Sequence, residues 1–241
     1  MITPWPREMT IADHSHIAGD RSCFYRLLNL AYRYPGEDVI ETLKSNVSSG
    51  LLDRIEETYL STPSTMEMIG SFKRNINAIG DPYELQVEYT RLFIGPSHLP
   101  APPYESVYMV DSRGFLMGNS ATEVMELYLE EGLALSPSIG DLPDHILAEL
   151  EFMSYLSERE ASAWADETGK VEHYLRKQDT FLSDHLTKWL PPFAQGIRGA
   201  SEQEIYRSLA GLTESFIVLD HDYIKALLKG LNTDNGEKRR W

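Results

Sequence analysis

The chain has 241 residues, of which 22 are basic and 37 acidic, giving a net charge of −15. Such acidity repels phosphate backbones, so it argues against nucleic acid as a general partner and favours basic or apolar ones. A hydrophobic content of 42% excludes a wholly disordered chain, and the single cysteine, Cys23, excludes an intrachain disulfide and any multi-cysteine metal or cluster site.

The elements read as helix after helix. In HSHIAGDRSCFYRLLNLAYRYPG, Phe24, Leu27, Leu28 and Ala31 recur at helical spacing until Pro35-Gly36. Cys23 shares that stretch and is expected to be a buried or half-buried structural thiol. GEDVIETLKSNV repeats the pattern through Val39, Ile40, Leu43 and Val47, and SGLLDRIEETYL is a short helix before Pro63. Met66, Ile69, Phe72 and Ile76 mark the next. Asp81, Pro82 and Glu84 then predict a capped start, with Leu85, Tyr89, Leu92 and Phe93 as the apolar face and Gly95-Pro96 as the stop.

A proline-rich connector follows, with Pro100, Pro102 and Pro103 restricting its backbone. Its ESVYMV is the only tempting strand. A long coil inside a helical protein needs a reason to exist, so residues 95–118 are the expected functional loop.

Ser120 and Glu123 predict a second capping box, and Gly132 closes that helix. A further helix begins at Asp141-Leu142-Pro143 and runs toward Trp164. Gly169 separates it from VEHYLRKQDTFLSDHLTKWL, which Pro191-Pro192 should terminate. Ser201 and Glu204 predict a third box before a closing helix striped by Ile205, Leu209, Leu212, Phe216, Leu219, Tyr223 and Leu227. Residues 232–241 read as a flexible tail. The expectation is one all-α domain over 1–241, with about ten helices. No stretch approaches the roughly 18 apolar residues of a membrane span. The opening MITPWPREMT lacks the apolar core of an export signal, so a cytoplasmic protein without stable membrane insertion is expected.

The chemistry is sparse. There is no G-x-G-x-x-G, no phosphate loop, no H-E-x-x-H and no G-x-S-x-G, and no cofactor is expected. Histidine-aspartate neighbours recur at Asp144-His145, Asp184-His185 and Asp220-His221-Asp222, with His14 and His16 near the start. These are suitable ligand types for a divalent metal, which keeps an all-helical metal-dependent phosphohydrolase as the alternative. Adjacent helical residues point about 100° apart, however, so several helices would have to converge on one ion. Asp144 lies in the first turn of a helix, where a carboxylate suits the free N–H groups. His145 and Glu149 are four apart on one face. The pattern suggests a small acidic surface able to engage a guanidinium, with Tyr104 and its prolines as an apolar wall.

Three stretches carry a family resemblance: EYTRLFIGPSHLPAPPYESVY from Glu88 to Tyr108, LPDHILAELEFMSYL from Leu142 to Leu156, and FLSDHLTKWLPPF from Phe181 to Phe193. Together they resemble the TorD/DmsD/NarJ-type chaperones of molybdenum enzymes, on the TorD/DmsD side. The resemblance implies a non-catalytic, cytoplasmic, all-helical protein. It would bind the twin-arginine leader and apoprotein of a molybdopterin-dependent oxidoreductase, assist cofactor insertion and delay export until folding is complete. It also implies a leader-binding set of Leu92, Phe93, Pro103, Tyr104, Asp144, His145 and Glu149. Relatives often carry tryptophan where this chain has Tyr104. His185 and Trp189 are expected to serve packing. A monomer or a domain-swapped dimer is the implied assembly.

Overall fold

The computed structural model describes residues 10–58, 62–96, 98–109, 116, 118–135, 142–166 and 169–238, with side chains as far as Leu231. Eleven helices are present among them: α1 Ile11–Ala31, α2 Glu37–Ser48, α3 Leu51–Thr58, α4 Pro63–Ala78, α5 Tyr83–Tyr89, α6 Glu105–Tyr108, α7 Asn119–Glu130, α8 Ile146–Ala165, α9 Val171–Phe181, α10 Thr187–Ala200 and α11 Glu204–Lys238. Two π turns, Thr90–Ile94 after α5 and Leu182–Leu186 between α9 and α10, extend their helices. One hydrophobic core runs from Ile17 to Leu228.

Helices α1 and α8 form the most extensive pair. Ser15, Ser22 and Asn29 on α1 are seven apart, and they donate to the carbonyls of Ala161, Ser154 and Leu147, also seven apart, at 3.0, 2.9 and 2.6 Å. A seven-residue repeat brings the same face of each helix back to the seam, and small polar side chains let the backbones approach. Helix α11 packs against α4, α9 and α10.

The start of α1 is set by a reciprocal box at Thr10 and Asp13, three residues before the expected first helical residue, His14. None of the three expected boxes forms. Asp81 does accept from Tyr83 N–H at 2.9 Å, but Pro82 holds the cap position and Glu84 makes no return bond. Gly118 caps α7, which leaves Ser120 buried inside its first turn. Ser201 instead donates to Glu88 at 2.9 Å, and α11 begins at Glu204. Glu88 also accepts from Arg91 at 2.7 and 2.8 Å and from Glu202 N–H at 2.7 Å. Burial opposes its ionisation, but these donors prevail and hold its carboxyl below the usual range.

Three further expectations are corrected. Glu105–Tyr108 is a helical turn rather than part of a strand. Pro191 and Pro192 lie inside α10 instead of ending a helix. An internal proline costs about 3 kcal/mol, but Trp189, Leu190, Phe193, Ala194 and Ile197 are all buried on either side of the pair, and that burial outweighs the cost. Cys23 is exposed, because α1 turns Arg21, Ser22, Phe24 and Tyr25 inward and leaves position 23 outside. The backbone of α11 continues to Lys238, through the first part of the segment read as a tail. Residues 239–241 lie outside the described residues, as do 97, 110–115 and 117 of the expected loop.

Candidate functional site

The segment after α5 is tied down at both ends. Leu92 O accepts from Ala101 N–H at 3.3 Å, and Pro103 O accepts from Ile146 N–H at 2.9 Å. Glu105 N–H donates to Asp144 O at 2.9 Å, which makes an antiparallel bridge between Tyr104 and His145. The Tyr104 ring meets the His145 ring edge-on at 5.0 Å. Gly196 on α10 lets this segment come close, since a Cβ there would lie 2.8 Å from Pro100 O. His145 caps α8 by accepting from Leu147 N–H at Nδ1, 3.1 Å away, which puts the proton of a neutral ring on Nε2.

Beneath the bridge lies a group of buried carboxylates. Asp144 Oδ2 accepts from Ser106 N–H at 2.9 Å and so caps α6 from 38 residues away. Glu149 Oε2 accepts from Trp189 Nε1 at 2.9 Å. Both oxygens of Glu105 lie 3.0 Å from His185 Nδ1. Asp144, Glu149 and Glu105 are each 0% exposed, and Asp144 Oδ1 and Glu149 Oε1 find no donor among the described residues. Burial pushes the Glu149 carboxyl well up, and the neighbouring Glu105 and Asp144 charges push it further against the Trp189 bond. A protonated Glu149 can share its proton with Glu105. Tyr128, whose hydroxyl donates to Pro143 O at 3.0 Å, is likewise raised by burial and then by Glu149, Glu105 and Asp144. The small acidic surface expected at the start of α8 is therefore an interior feature: α6 and the connector cover it, and Trp189 on α10 and His185 in the π turn before it supply its partners from below.

Leu92 and Phe93 are also buried. Phe93 stands 6.2 Å from Phe193, Phe193 is 6.2 Å from Tyr108, and Tyr108 stacks on Trp189 at 5.7 Å. This ladder leads to Glu149, so all seven expected residues belong to one contiguous region. They form packed interior and not the walls of an open cleft, with only Tyr104 more than marginally exposed. An apolar recess of about 200 Å³ opens nearby on the other side of Tyr128, lined by Leu133, Leu135, Ala148, Phe152 and Tyr155, with Glu151 at its edge.

The histidine-aspartate pairs go separate ways. Asp184 faces Lys188, while His185 turns inward to Glu105. Asp220 meets Arg21 and Tyr25, while His221 meets Asp179. His14 stacks on Trp164 at 4.7 Å, and burial lowers its pKa. Among the described residues, no three His, Cys, Asp or Glu side chains are placed to hold a metal ion.

Sequence reasoning missed Arg21. Its buried guanidinium donates to Asp220 at 2.5 and 3.1 Å, to Glu160 at 2.6 Å and to Gln178 at 2.5 Å, which ties α1 to α8, α9 and α11. An arginine recurring on the apolar face of α1 with Ala18, Tyr25 and Leu28 was the available signal.

The comparisons with known proteins agree with this architecture. The model of the nitrate reductase delta subunit family matches residues 63–195. A crystal structure of a protein assigned as a redox enzyme maturation protein, from Archaeoglobus fulgidus, aligns with a TM-score of 0.53 at 25% identity, covering 90% of this chain and 99% of its own. The chain belongs to the TorD/DmsD/NarJ-type redox enzyme maturation chaperones, which places it among chaperones and not among enzymes. Among its relatives, the TorD chaperone of Photobacterium profundum is 30% identical over 175 residues, covering 69% of this chain and 80% of its own. That of Vibrio parahaemolyticus is 27% identical over 188 residues, covering 78% and 86%. No helix among the described residues is long and apolar enough to cross a membrane.

Proposed function

We propose that this protein acts in the cytoplasm as a maturation chaperone for a molybdopterin-dependent oxidoreductase. It binds the twin-arginine leader and the apoprotein, assists cofactor insertion and delays export until the client is folded. The observation that carries this reading is the joining of three short segments at one place: Leu92-Phe93 and Pro103-Tyr104 from one sequence block, and Asp144-His145 from another. In this reading residues 95–118 are the recognition loop. Tyr104 and His145 meet the peptide, while Leu92, Phe93, Pro103, Asp144 and Glu149 hold that pair in position. A net charge of −15 favours capture of a leader bearing two arginines, and salt weakens the encounter.

Co-purification of an untagged apoenzyme with the tagged chaperone tests the partnership. Calorimetry with a synthetic leader tests the site. Tyr104→Ala removes a half-buried ring without opening the core, so leader affinity should drop about tenfold while circular dichroism stays the same. Unchanged affinity would remove this loop from the binding surface. Asp144→Ala is a poorer probe, because it also uncaps α6.

A further inference from the structure

The recess beside Tyr128 has features that the buried carboxylates lack: it is open, apolar and rimmed by a free charge. It forms where α7 ends. Gly132 adopts a left-handed conformation (φ 73°), which lets Leu133 N–H return to Tyr128 O at 2.9 Å and sets Leu133 over the recess. Ala148 and Phe152, one turn apart on α8, make the floor. At about 200 Å³ the space is below the usual range of small-molecule pockets and closer to a socket for one side chain.

Its electrostatics are one-sided. The C-terminal end of α7 presents a partial negative charge. Glu105 and Asp144 lie behind Tyr128 and act on its hydroxyl, as does Glu151. Glu131 also lies close, but Lys177 at 3.5 Å and His173 at 3.4 Å meet its charge. Glu151 is exposed and, among the described residues, makes no hydrogen bond or ion pair. On its far side, Glu151 and Tyr155 border a larger recess that carries Arg26, Arg33 and Glu158, with Arg26 paired to Glu158 at 2.7 Å.

We propose that this recess seats an apolar side chain of a basic peptide, with a peptide guanidinium held by Glu151. Resting on the chaperone reading above, this gives the leader a second contact: its arginine engages Glu151 and a following apolar residue enters between Leu133, Ala148 and Phe152. The argument is complementarity of charge and shape. An unpaired carboxylate beside an apolar socket fits an arginine followed by an apolar residue, and bidentate pairing becomes strong once the peptide excludes water.

The test uses the full chain and a fluorescein-labelled synthetic peptide with two adjacent arginines followed by an apolar run. The same peptide with citrulline replacing arginine keeps the shape and removes the charge. Glu151→Gln should weaken arginine-peptide binding about fivefold and leave citrulline-peptide binding unchanged. Ala148→Phe fills the socket and should weaken both about tenfold. Ala148 is itself buried, so a second measurement avoids the floor: a polarity-sensitive dye on Ala134→Cys, in a Cys23→Ser background, should shift its emission when peptide is added. If the wild type binds the arginine peptide but both substitutions and the dye are indifferent, this site is wrong and the chaperone reading survives. If the wild type does not prefer arginine over citrulline, both readings fall. A dye shift that needs only higher protein concentration would assign the recess to a second copy of the chain and overturn the proposal.

Discussion

The Arg21 cluster and the Glu149 cluster are both fully buried and both join several helices, yet their polar groups are matched very differently. Around Arg21 the donors and acceptors are balanced. Its guanidinium serves Asp220, Glu160 and Gln178, while Tyr25 adds a second donor to Asp220 and both Gln178 and Trp164 add donors to Glu160. Around Glu149, among the described residues, three carboxylates share one imidazole, one indole and one backbone N–H, and two oxygens are left over. Buried charge is costly unless opposite charge and hydrogen bonds answer it. The first cluster therefore works as an anchor. The second answers burial with a Glu149 carboxyl pushed well up from its usual range, and it lies beneath the segment to which recognition is assigned.

The largest expected effect tests the anchor. Arg21→Met leaves Asp220 and Glu160 buried without a counter-charge, so urea unfolding should register a loss of about 3–5 kcal/mol. A loss near zero would make the two clusters equivalent. Next comes the seat of the connector. Gly196→Ala drives a Cβ to within 2.8 Å of Pro100 O and should cost about 1–3 kcal/mol. Gly199→Ala on the same helix meets nothing within 4 Å, and its thermal midpoint should hold or rise slightly.

The smallest effect carries the most detail. Because the folded Glu149 carboxyl is raised, the unfolded chain ionises first as pH increases. The stability Glu149 contributes is complete below the ordinary carboxylate pKa of about 4.3 and is lost as pH rises toward the folded value. Glu149→Gln cannot ionise and can still accept from Trp189 and donate to Glu105. Its thermal midpoint should match the wild type in acid and exceed it by a few degrees near neutrality. A difference that does not vary with pH would show that Glu149 is charged in the folded state.

The legible parts of the fold were those decided locally. Leu43 and Val47, or Ile69, Phe72 and Ile76, lie one turn apart, and the helices they predict are the helices that form. What escaped reading depends on distant residues. ESVY becomes a helical turn because Asp144, far along the chain, caps it. Pro191 and Pro192 stay inside a helix because Trp189 and Phe193 are buried on both sides of them. The site was legible as a set of residues, since its three blocks do meet, but not as a surface. Burial of Asp144 and Glu149 depends on Trp189 and His185, whose positions follow from a π turn that shifts the helical register.

The bridge between Tyr104 and His145 has one more consequence. It is the only β pairing among the described residues of an otherwise helical molecule, and just two amide hydrogens close it, those of Glu105 and Ile146. Neither can swap with deuterium from solvent while the strap is seated, and both become available the moment it lifts. The isotope uptake of two backbone positions therefore reports how often the lid over the acidic interior opens, with no label attached to the protein.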